Sequence, residues 1–203
     1  MAATERPQTY LITPGDADDP GFADRLAAVL DRVPVACLRL ALATREEDRL
    51  GRAADALRAV AHARDVAIVI ENHVLLASRH GLDGVHLSDS RGIRAARIEL
   101  GKDAIVGAWG GISRHDGLTA AEAGADYVSF GPVSGALGDG RNAPLELFAW
   151  WSEMIEVPCV AEGGLDPEVL PGLAAVTDFL AFGEEIWRRD DPAAELQALL
   201  ARF

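Results

Sequence analysis

Long hydrophobic runs and cysteine clusters are both missing from this chain of 203 residues. No stretch approaches the roughly 20 apolar residues that a membrane-spanning helix needs, and residues 1–7 lack the apolar segment of a secretory signal. The two cysteines, Cys37 and Cys159, are far apart and each lies in an apolar run. This predicts buried thiols in a reducing compartment rather than a disulfide or a metal site. We therefore expect a cytoplasmic protein.

Positive charge is also scarce, because 19 basic residues stand against 32 acidic ones and the formal net charge is −13. Nucleic acids and anionic membranes carry charge of the same sign, so we expect neither as a partner. The expected partner is a small-molecule substrate.

Trp150 and Trp151 lie on a predicted helix, where we expect them to contribute packing or homo-oligomer contacts.

The chain does contain a regular alternation of short apolar runs and Ala-rich, charged segments with helical spacing. This pattern is typical of a parallel sheet with crossover helices. Eight strands are predicted, at 10–13, 35–42, 66–70, 84–87, 104–108, 127–130, 158–161 and 178–182. The predicted helices are 22–31, 45–63, 73–80, 91–100, 118–123, 144–155, 167–173 and 192–200.

The number of strands favours a closed (β/α)8 TIM barrel, with an open doubly wound sheet as the rival architecture. Because 49% of the residues are hydrophobic and no long polar tract occurs, we expect a single domain over residues 1–203. No Gly-x-Gly-x-x-Gly opens a helix after the first strand, and no Walker-type loop is present. The usual dinucleotide and nucleotide sites are therefore excluded.

One short pattern occurs twice. Residues 81–85 (Gly-Leu-Asp-Gly-Val) and 124–128 (Gly-Ala-Asp-Tyr-Val) each lead from a glycine through an aspartate into a predicted strand. We interpret this as a feature of βα repetition, in which the glycine ends a helix.

Polar residues follow most of the predicted strands, at the end of a TIM barrel where substrates sit. They are Glu-Asn-His at 71–73, His-Leu-Ser-Asp at 86–89, Trp-Gly-Gly at 109–111, Gly-Pro-Val-Ser-Gly at 131–135, Glu-Gly-Gly at 162–164 and Gly-Glu-Glu at 183–185.

Five landmarks in register resemble the thiamine phosphate synthase family and its thiazole tautomerase relatives. These landmarks are Ile-Glu-Asn at 70–72, Gly-Val-His-Leu at 84–87, Gly-Ala-Asp-Tyr-Val at 124–128, Gly-Pro at 131–132 and Ala-Glu-Gly-Gly-Leu at 161–165.

The resemblance implies a TIM barrel and a transferase of thiamine biosynthesis. Such an enzyme joins an aminopyrimidine methyl diphosphate to a thiazole phosphate and releases pyrophosphate with Mg²⁺ assistance. This chemistry needs cations near the departing pyrophosphate and backbone N–H donors for the thiazole phosphate. Where the family carries several cations, this chain has Arg39 in the second strand and Arg141 after the sixth. We expect both, together with Gly131, to bind substrate.

The glycines after the seventh strand are the firmest predicted ligand site. Without side chains, Gly163 and Gly164 allow backbone N–H groups to approach a phosphate. Glu162, Glu184 and Glu185 oppose this prediction, because carboxylates repel a phosphate dianion.

A magnesium site is implied by the resemblance, but the acidic residues depart from the family pattern. His73 stands where the family usually has Asp after Asn. Glu71 and Asp89 are the remaining candidate ligands, since Mg²⁺ prefers carboxylate oxygens. Ordinary surface carboxylates are the alternative for this pair.

Three further side chains are candidates with open alternatives. His86 is a candidate catalytic residue that exchanges protons near neutral pH, or else a hydrogen-bonded structural histidine. Asn72 either orients a pyrimidine edge in the reaction or is a turn residue before the next helix. Trp109 either stacks on a heteroaromatic substrate or covers the barrel core.

Two functional hypotheses follow from these residues. The first is a thiamine phosphate synthase-like transferase with reduced phosphate contacts. The second is a non-catalytic or tautomerase-like barrel that binds a heterocycle after losing the diphosphate site, since barrels host many functions through their loops.

Overall fold

The computed structural model describes residues 6–135 and 141–203. Eight parallel strands close into a barrel in chain order, with β1 paired to both β2 and β8. The strands are β1 Gln8–Ile12, β2 Cys37–Leu40, β3 Ala67–Glu71, β4 Gly84–Leu87, β5 Ile105–Gly111, β6 Tyr127–Phe130, β7 Cys159–Glu162 and β8 Phe179–Phe182. The TIM barrel prediction is confirmed, and the open doubly wound sheet is wrong.

Helices connect successive strands on the outside of the barrel. They are α1 Phe22–Leu30, α2 Glu47–His62, α3 Val74–Arg79, α4 Ile93–Leu100, α5 Arg114–Ala123, α6 Leu145–Met154, α7 Leu170–Ala174, α8 Glu184–Trp187 and α9 Pro192–Leu200. Within residues 6–135 and 141–203, no helix has the length and apolar character to cross a membrane.

Two helices differ from the sequence prediction for local reasons. Helix α5 begins at Arg114 rather than at 118, because the Ser113 Oγ accepts a hydrogen bond from the backbone N–H of Asp116 and caps the first turn. Helix α8 was not predicted. With four residues, it is too short to show a helical hydrophobic period.

The core has two layers, one between barrel and helices and one inside the barrel. The larger layer packs the outward faces of the strands against helix residues such as Phe148 and Trp151, which are fully buried. The inner layer contains Tyr10, Cys37 and Tyr127 with small and branched apolar neighbours. Both cysteines are buried and free, as predicted.

The repeated Gly-to-Asp pattern has a structural cause. Each aspartate just before an even-numbered strand accepts a hydrogen bond from a backbone N–H at the start of the preceding strand. Asp83 binds Ile68 N at 2.7 Å, Asp126 binds Val106 N at 2.7 Å, and Asp178 binds Cys159 N at 2.8 Å. These carboxylates therefore set the register of neighbouring strands at the amino end of the barrel, opposite the predicted site.

Candidate active site

A cavity of about 270 Å³ opens at the carboxyl end of the barrel. Its walls come from β2, β3, β4, β5 and β7 and the residues that follow β4. The lining side chains are Arg39, Glu71, His86, Ser88, Trp109 and Glu162. Four predicted site residues are thus brought together by strands that are distant in sequence.

A second cavity of about 280 Å³ lies at the amino end, beneath Tyr10 and Tyr127. Its lining is largely apolar, with Cys37, Val160 and Phe179 among the wall residues. Because barrel active sites lie at the carboxyl end, the polar cavity is the candidate active site.

Arg39 and Glu162 form a buried, two-pronged ion pair in the floor of this cavity. Arg39 Nη1 donates to Glu162 Oε2 at 3.0 Å and Nη2 donates to Oε1 at 2.8 Å, and the two side chains are only 6% and 11% exposed. Burial alone would lower the pKa of Arg39, but Glu162 and the nearby tyrosines raise it overall. Arg39 is therefore a fixed cation, and its Nε–H is buried without a hydrogen-bond partner among the described residues.

His86 stands in a hydrogen-bonded chain below the cavity. Its Nδ1 lies 3.0 Å from the Tyr127 hydroxyl, which lies 2.8 Å from the Tyr10 hydroxyl. Burial, reinforced by the charge of Arg39, lowers the pKa of His86 well below its ordinary value. The imidazole is therefore neutral near pH 7, so a protonated His86 is not an available proton donor there.

Two proton arrangements satisfy this chain. Either Tyr10 donates to Tyr127 and Tyr127 to His86 Nδ1, or His86 Nδ1–H donates to Tyr127 and Tyr127 to Tyr10. In both, Nε2 is the ring nitrogen that remains for a ligand.

Asn72 joins the ends of β3 and β4. Its backbone has a positive φ of 60°, and its N–H donates to the carbonyl of His86 at 2.8 Å. The side-chain Oδ1 accepts from the backbone N–H of Ser88 at 2.8 Å. Asn72 is therefore a turn residue that positions the cavity wall, and its side-chain NH2 remains as a donor.

Glycines shape the loops beside the cavity on the β6 and β7 side. A Cβ on Gly131 would lie 2.1 Å from the carbonyl oxygen of Glu162, and a Cβ on Gly164 would lie 2.3 Å from that of Ser134. Gly163 and Gly164 both have a φ of +80°, which favours glycine. Glycine is thus required at all three predicted positions by the approach of two loops.

The backbone N–H groups of the β7 loop are occupied by a protein carboxylate. Glu185 Oε1 accepts from Gly164 N at 2.8 Å and Leu165 N at 3.3 Å, while Oε2 accepts from Gly183 N at 2.7 Å. From the sequence, Glu185 is expected only to repel phosphate. The structure shows that it binds the donors predicted for phosphate.

Asp89 and Arg141 lie apart from this cavity lining. Arg91 donates to the Asp89 carboxylate from its backbone N–H at 2.8 Å and from Nε at 3.0 Å, and these bonds lower the pKa of Asp89. Arg141 is exposed and directly follows 136–140, which lie outside the described residues.

The described residues do not fit a magnesium ion held by the protein alone. They contain no group of three or more His, Cys, Asp or Glu side chains placed to bind a metal. Glu71 lines the cavity, whereas Asp89 is bound by Arg91.

Tyr10, Tyr127 and Glu162 are the partners that the sequence analysis did not connect to the candidate residues. The available signal was alternation along the strands, because Tyr10, Arg39 and Tyr127 occupy inward positions of their strands. Alternation identifies the inward face but not which inward side chains meet across the barrel.

Together, the fold and site define a (β/α)8 barrel with a small polar ligand cavity at its catalytic end. A family model described as thiamine monophosphate synthase matches residues 9–185. The thiamine-phosphate synthase of Rhodospirillum centenum is 44% identical over 91% of this chain and 92% of its own length. That of Erythrobacter litoralis is 40% identical, covering 96% and 95%.

The fold agrees with this relationship. The solved thiamine phosphate pyrophosphorylase of Pyrococcus furiosus superposes with a TM-score of 0.81 at 23% identity, over 96% of this chain and 95% of that one. The chain belongs to the thiamine monophosphate synthase family, as the resemblance in the sequence predicted.

Proposed function

We propose that this protein is a transferase of thiamine phosphate synthase type. The observation that supports the proposal is a polar cavity at the catalytic end of a barrel whose relatives, named thiamine-phosphate synthase, match over more than nine-tenths of the chain. The substrates would be an aminopyrimidine methyl diphosphate and a thiazole phosphate. The thiazole nitrogen supplies the electron pair of the new C–N bond, and the breaking C–O bond releases its pair to pyrophosphate.

The cavity residues take distinct positioning roles in this proposal. Trp109 offers an aromatic face to a planar ring, and the neutral His86 offers Nε2 to a polar edge of that ring. Asn72 lies outside this lining, in a neighbouring cavity that shares Glu71, and its NH2 group would be a further donor for the pyrimidine. Arg39, whose charge is balanced by Glu162, holds the floor of the cavity in place.

Magnesium is the cofactor that the family implies. Because the described residues do not fit a protein-held ion, we assign it no step here. Glu71 is the carboxylate of the cavity wall that such an ion would meet.

A heterocycle-binding protein without turnover is the second candidate function. It is favoured by the fact that carboxylates of the protein already occupy both Arg39 and the N–H groups of the β7 loop. Gly131 would then shape the site without handling a diphosphate.

The test is to mix the purified protein with both substrates and Mg²⁺, and to measure pyrophosphate release and the condensed product by mass spectrometry. We expect turnover that Trp109→Ala reduces at least about tenfold in kcat/KM. Trp150→Ala is the matched control, because Trp150 lies on α6 beneath Arg114 and outside the cavity lining. Binding of both substrates without product would support the second function instead.

We also infer a cytoplasmic location and a homo-oligomer. Two buried free thiols support a reducing compartment.

Exposed apolar side chains on neighbouring helices support the homo-oligomer. Leu75 on α3 and Ile98 on α4 are 62% and 86% exposed, and these helices are neighbours. Light scattering of the wild type and of Ile98→Glu would test the assembly, with a loss of mass in the variant as the expected result.

A further inference from the structure

Tyr127 reaches His86 across a strand that leaves room for its ring. Gly107 on β5 pairs in register with His86 on one side and with Tyr127 on the other. A Cβ on Gly107 would lie 2.0 Å from Tyr127 Cζ and 2.4 Å from the Tyr127 hydroxyl oxygen. The phenol therefore occupies the space that a side chain at position 107 would fill, and its hydroxyl lies 3.0 Å from His86 Nδ1.

The two proton arrangements of this buried chain differ in the position of one spare hydrogen. Burial raises the pKa of both tyrosine hydroxyls, so each keeps its hydrogen, and the neutral imidazole of His86 carries one more. If Tyr10 donates to Tyr127 and Tyr127 to His86 Nδ1, the spare hydrogen is on Nε2. In the reverse order, the spare hydrogen is on the Tyr10 hydroxyl.

The surroundings of the two ends favour the first arrangement. Among the described residues, the Tyr10 hydroxyl has no oxygen or nitrogen hydrogen-bond partner other than Tyr127, and Tyr10 packs in the apolar interior of the barrel. The Cys37 thiol interacts with it, but sulfur is a weak acceptor. His86, in contrast, lines the polar cavity. A buried hydroxyl hydrogen without a strong acceptor disfavours the reverse order by about tenfold or more.

We propose that Tyr127 is a positioning residue, which holds His86 in its Nε2–H tautomer so that the cavity presents a neutral N–H donor to the ligand. The ligand atom that meets His86 is then a hydrogen-bond acceptor, such as a ring nitrogen of a pyrimidine stacked on Trp109. His86 does not act as a base, because Tyr127 uses the Nδ1 lone pair and Nε2 carries the hydrogen. The tautomer follows from these contacts, whereas its effect on turnover rests on the proposed transferase function.

Charged and titratable groups surround the imidazole from five strands. They are Tyr10 on β1, Arg39 on β2, Glu71 on β3, Tyr127 on β6 and Glu162 on β7. Burial and the Arg39 charge lower the pKa of His86, and Tyr127 adds a donor that only the neutral imidazole accepts. Removing that donor should therefore raise the pKa of His86 in the folded protein.

The first experiment measures the tautomer directly and does not depend on turnover. In protein containing 15N-labelled histidine, long-range proton–nitrogen correlation spectra distinguish the protonated ring nitrogen from the unprotonated one. The His86 signals are assigned from their absence in His86→Gln. We expect wild-type His86 to carry its hydrogen on Nε2 near neutral pH. Tyr127→Phe should show both tautomers, whereas Tyr10→Phe should keep the Nε2–H form because Tyr127 can still donate to Nδ1.

The same spectra contain internal controls and allow a second variant. His62 and His80 make exposed contacts with aspartates, and their signals should not change in either tyrosine variant. Gly107→Ala keeps both hydroxyls but places a Cβ against the Tyr127 ring. It should therefore also show both tautomers of His86.

The second experiment measures kcat/KM against pH for the wild type and Tyr127→Phe. We expect the variant to lose about fivefold or more near neutral pH. The loss should grow as pH falls, because His86 then takes up a proton in the folded protein and its ring nitrogens no longer match the ligand. Trp150→Ala, which is outside the cavity lining, should keep the pH profile of the wild type.

A wild-type His86 with its hydrogen on Nδ1 would overturn the proposal, and this measurement remains decisive if Tyr127→Phe does not fold. A Tyr127→Phe variant with the tautomer and the pH profile of the wild type would overturn it as well. Absence of turnover in the wild type would instead count against the proposed transferase, while the spectra would still decide the tautomer.

Discussion

Removing the charge of Glu162 should destabilise the protein strongly, because Arg39 would be left as a buried cation without its carboxylate. The two side chains are 6% and 11% exposed and share two hydrogen bonds. Breaking one partner of such a pair costs about 3 to 5 kcal/mol. In a domain of this size each kcal/mol lowers Tm by about 2 to 4 °C, so Glu162→Gln should lower Tm by about 6 to 20 °C.

The assay is thermal unfolding followed by circular dichroism, with Glu47→Gln as the control. Glu47 pairs with Arg79 at 3.5 Å, but these side chains are 73% and 61% exposed, and exposed pairs contribute little. The double variant Arg39→Met/Glu162→Leu should recover most of the loss, since an apolar pair of similar size avoids the desolvation of both charges.

Two results would refute this reasoning. One is a Glu162→Gln variant no less stable than Glu47→Gln. The other is a double variant that loses the sum of the two single losses, which would mean that Arg39 and Glu162 act independently.

Three other predictions concern separate parts of the site. Gly131→Ala should lower the free energy of unfolding by more than about 2 kcal/mol, because its Cβ would lie 2.1 Å from a backbone oxygen. Gly21→Ala is the control for thermal unfolding and should have little effect, because its Cβ would lie near only a flexible side chain at 3.2 Å. Equal losses of stability in the two variants would contradict the clash. The pKa of His86 in the folded protein is depressed by burial and by a neighbouring cation. As pH falls, this histidine is therefore protonated in the unfolded chain before it is protonated in the folded protein. Stability should therefore drop from pH 7 towards pH 5 more steeply in the wild type than in His86→Gln, by at most about 1.4 kcal/mol per pH unit, and parallel curves would contradict a buried neutral imidazole. Calorimetry with Mg²⁺ alone should show no saturable binding, because the described residues hold no group of three or more His, Cys, Asp or Glu side chains placed to bind a metal; a stoichiometric Mg²⁺ isotherm would refute this.

The barrel was predictable because each strand is a short apolar run with a local signal at its end. Even the short strand β4 was predicted with its observed bounds, Gly84–Leu87. The repeated aspartates were visible as a pattern, and Asp83 and Asp126 show why the pattern exists: each carboxylate binds a backbone N–H of the preceding strand. Such signals lie within one βα unit, so the sequence contains them.

The partners in the site were less predictable because they are long-range. Arg39 and Glu162 are separated by 123 positions, and Glu185 and Gly164 by 21. The charges themselves are visible in the sequence, but from the sequence Glu162 and Glu185 are expected only to repel phosphate. Which donor each carboxylate contacts depends on barrel closure and loop conformation, and no local pattern encodes these.

Glu162 and Glu185 play the same chemical role in different surroundings, and this difference separates their effects. Each is an internal anion on donors that a phosphorylated substrate would need. Glu162 is buried against a charged guanidinium, so its loss should appear mainly as lost stability. Glu185 is partly exposed and binds neutral N–H groups, which water or phosphate can satisfy in its absence, so its loss should appear mainly as changed ligand preference. If loss of Glu162 and loss of Glu185 instead reduced stability equally, Glu185 would stabilise its loop as strongly as Glu162 stabilises the barrel, and the difference in surroundings would not separate their effects.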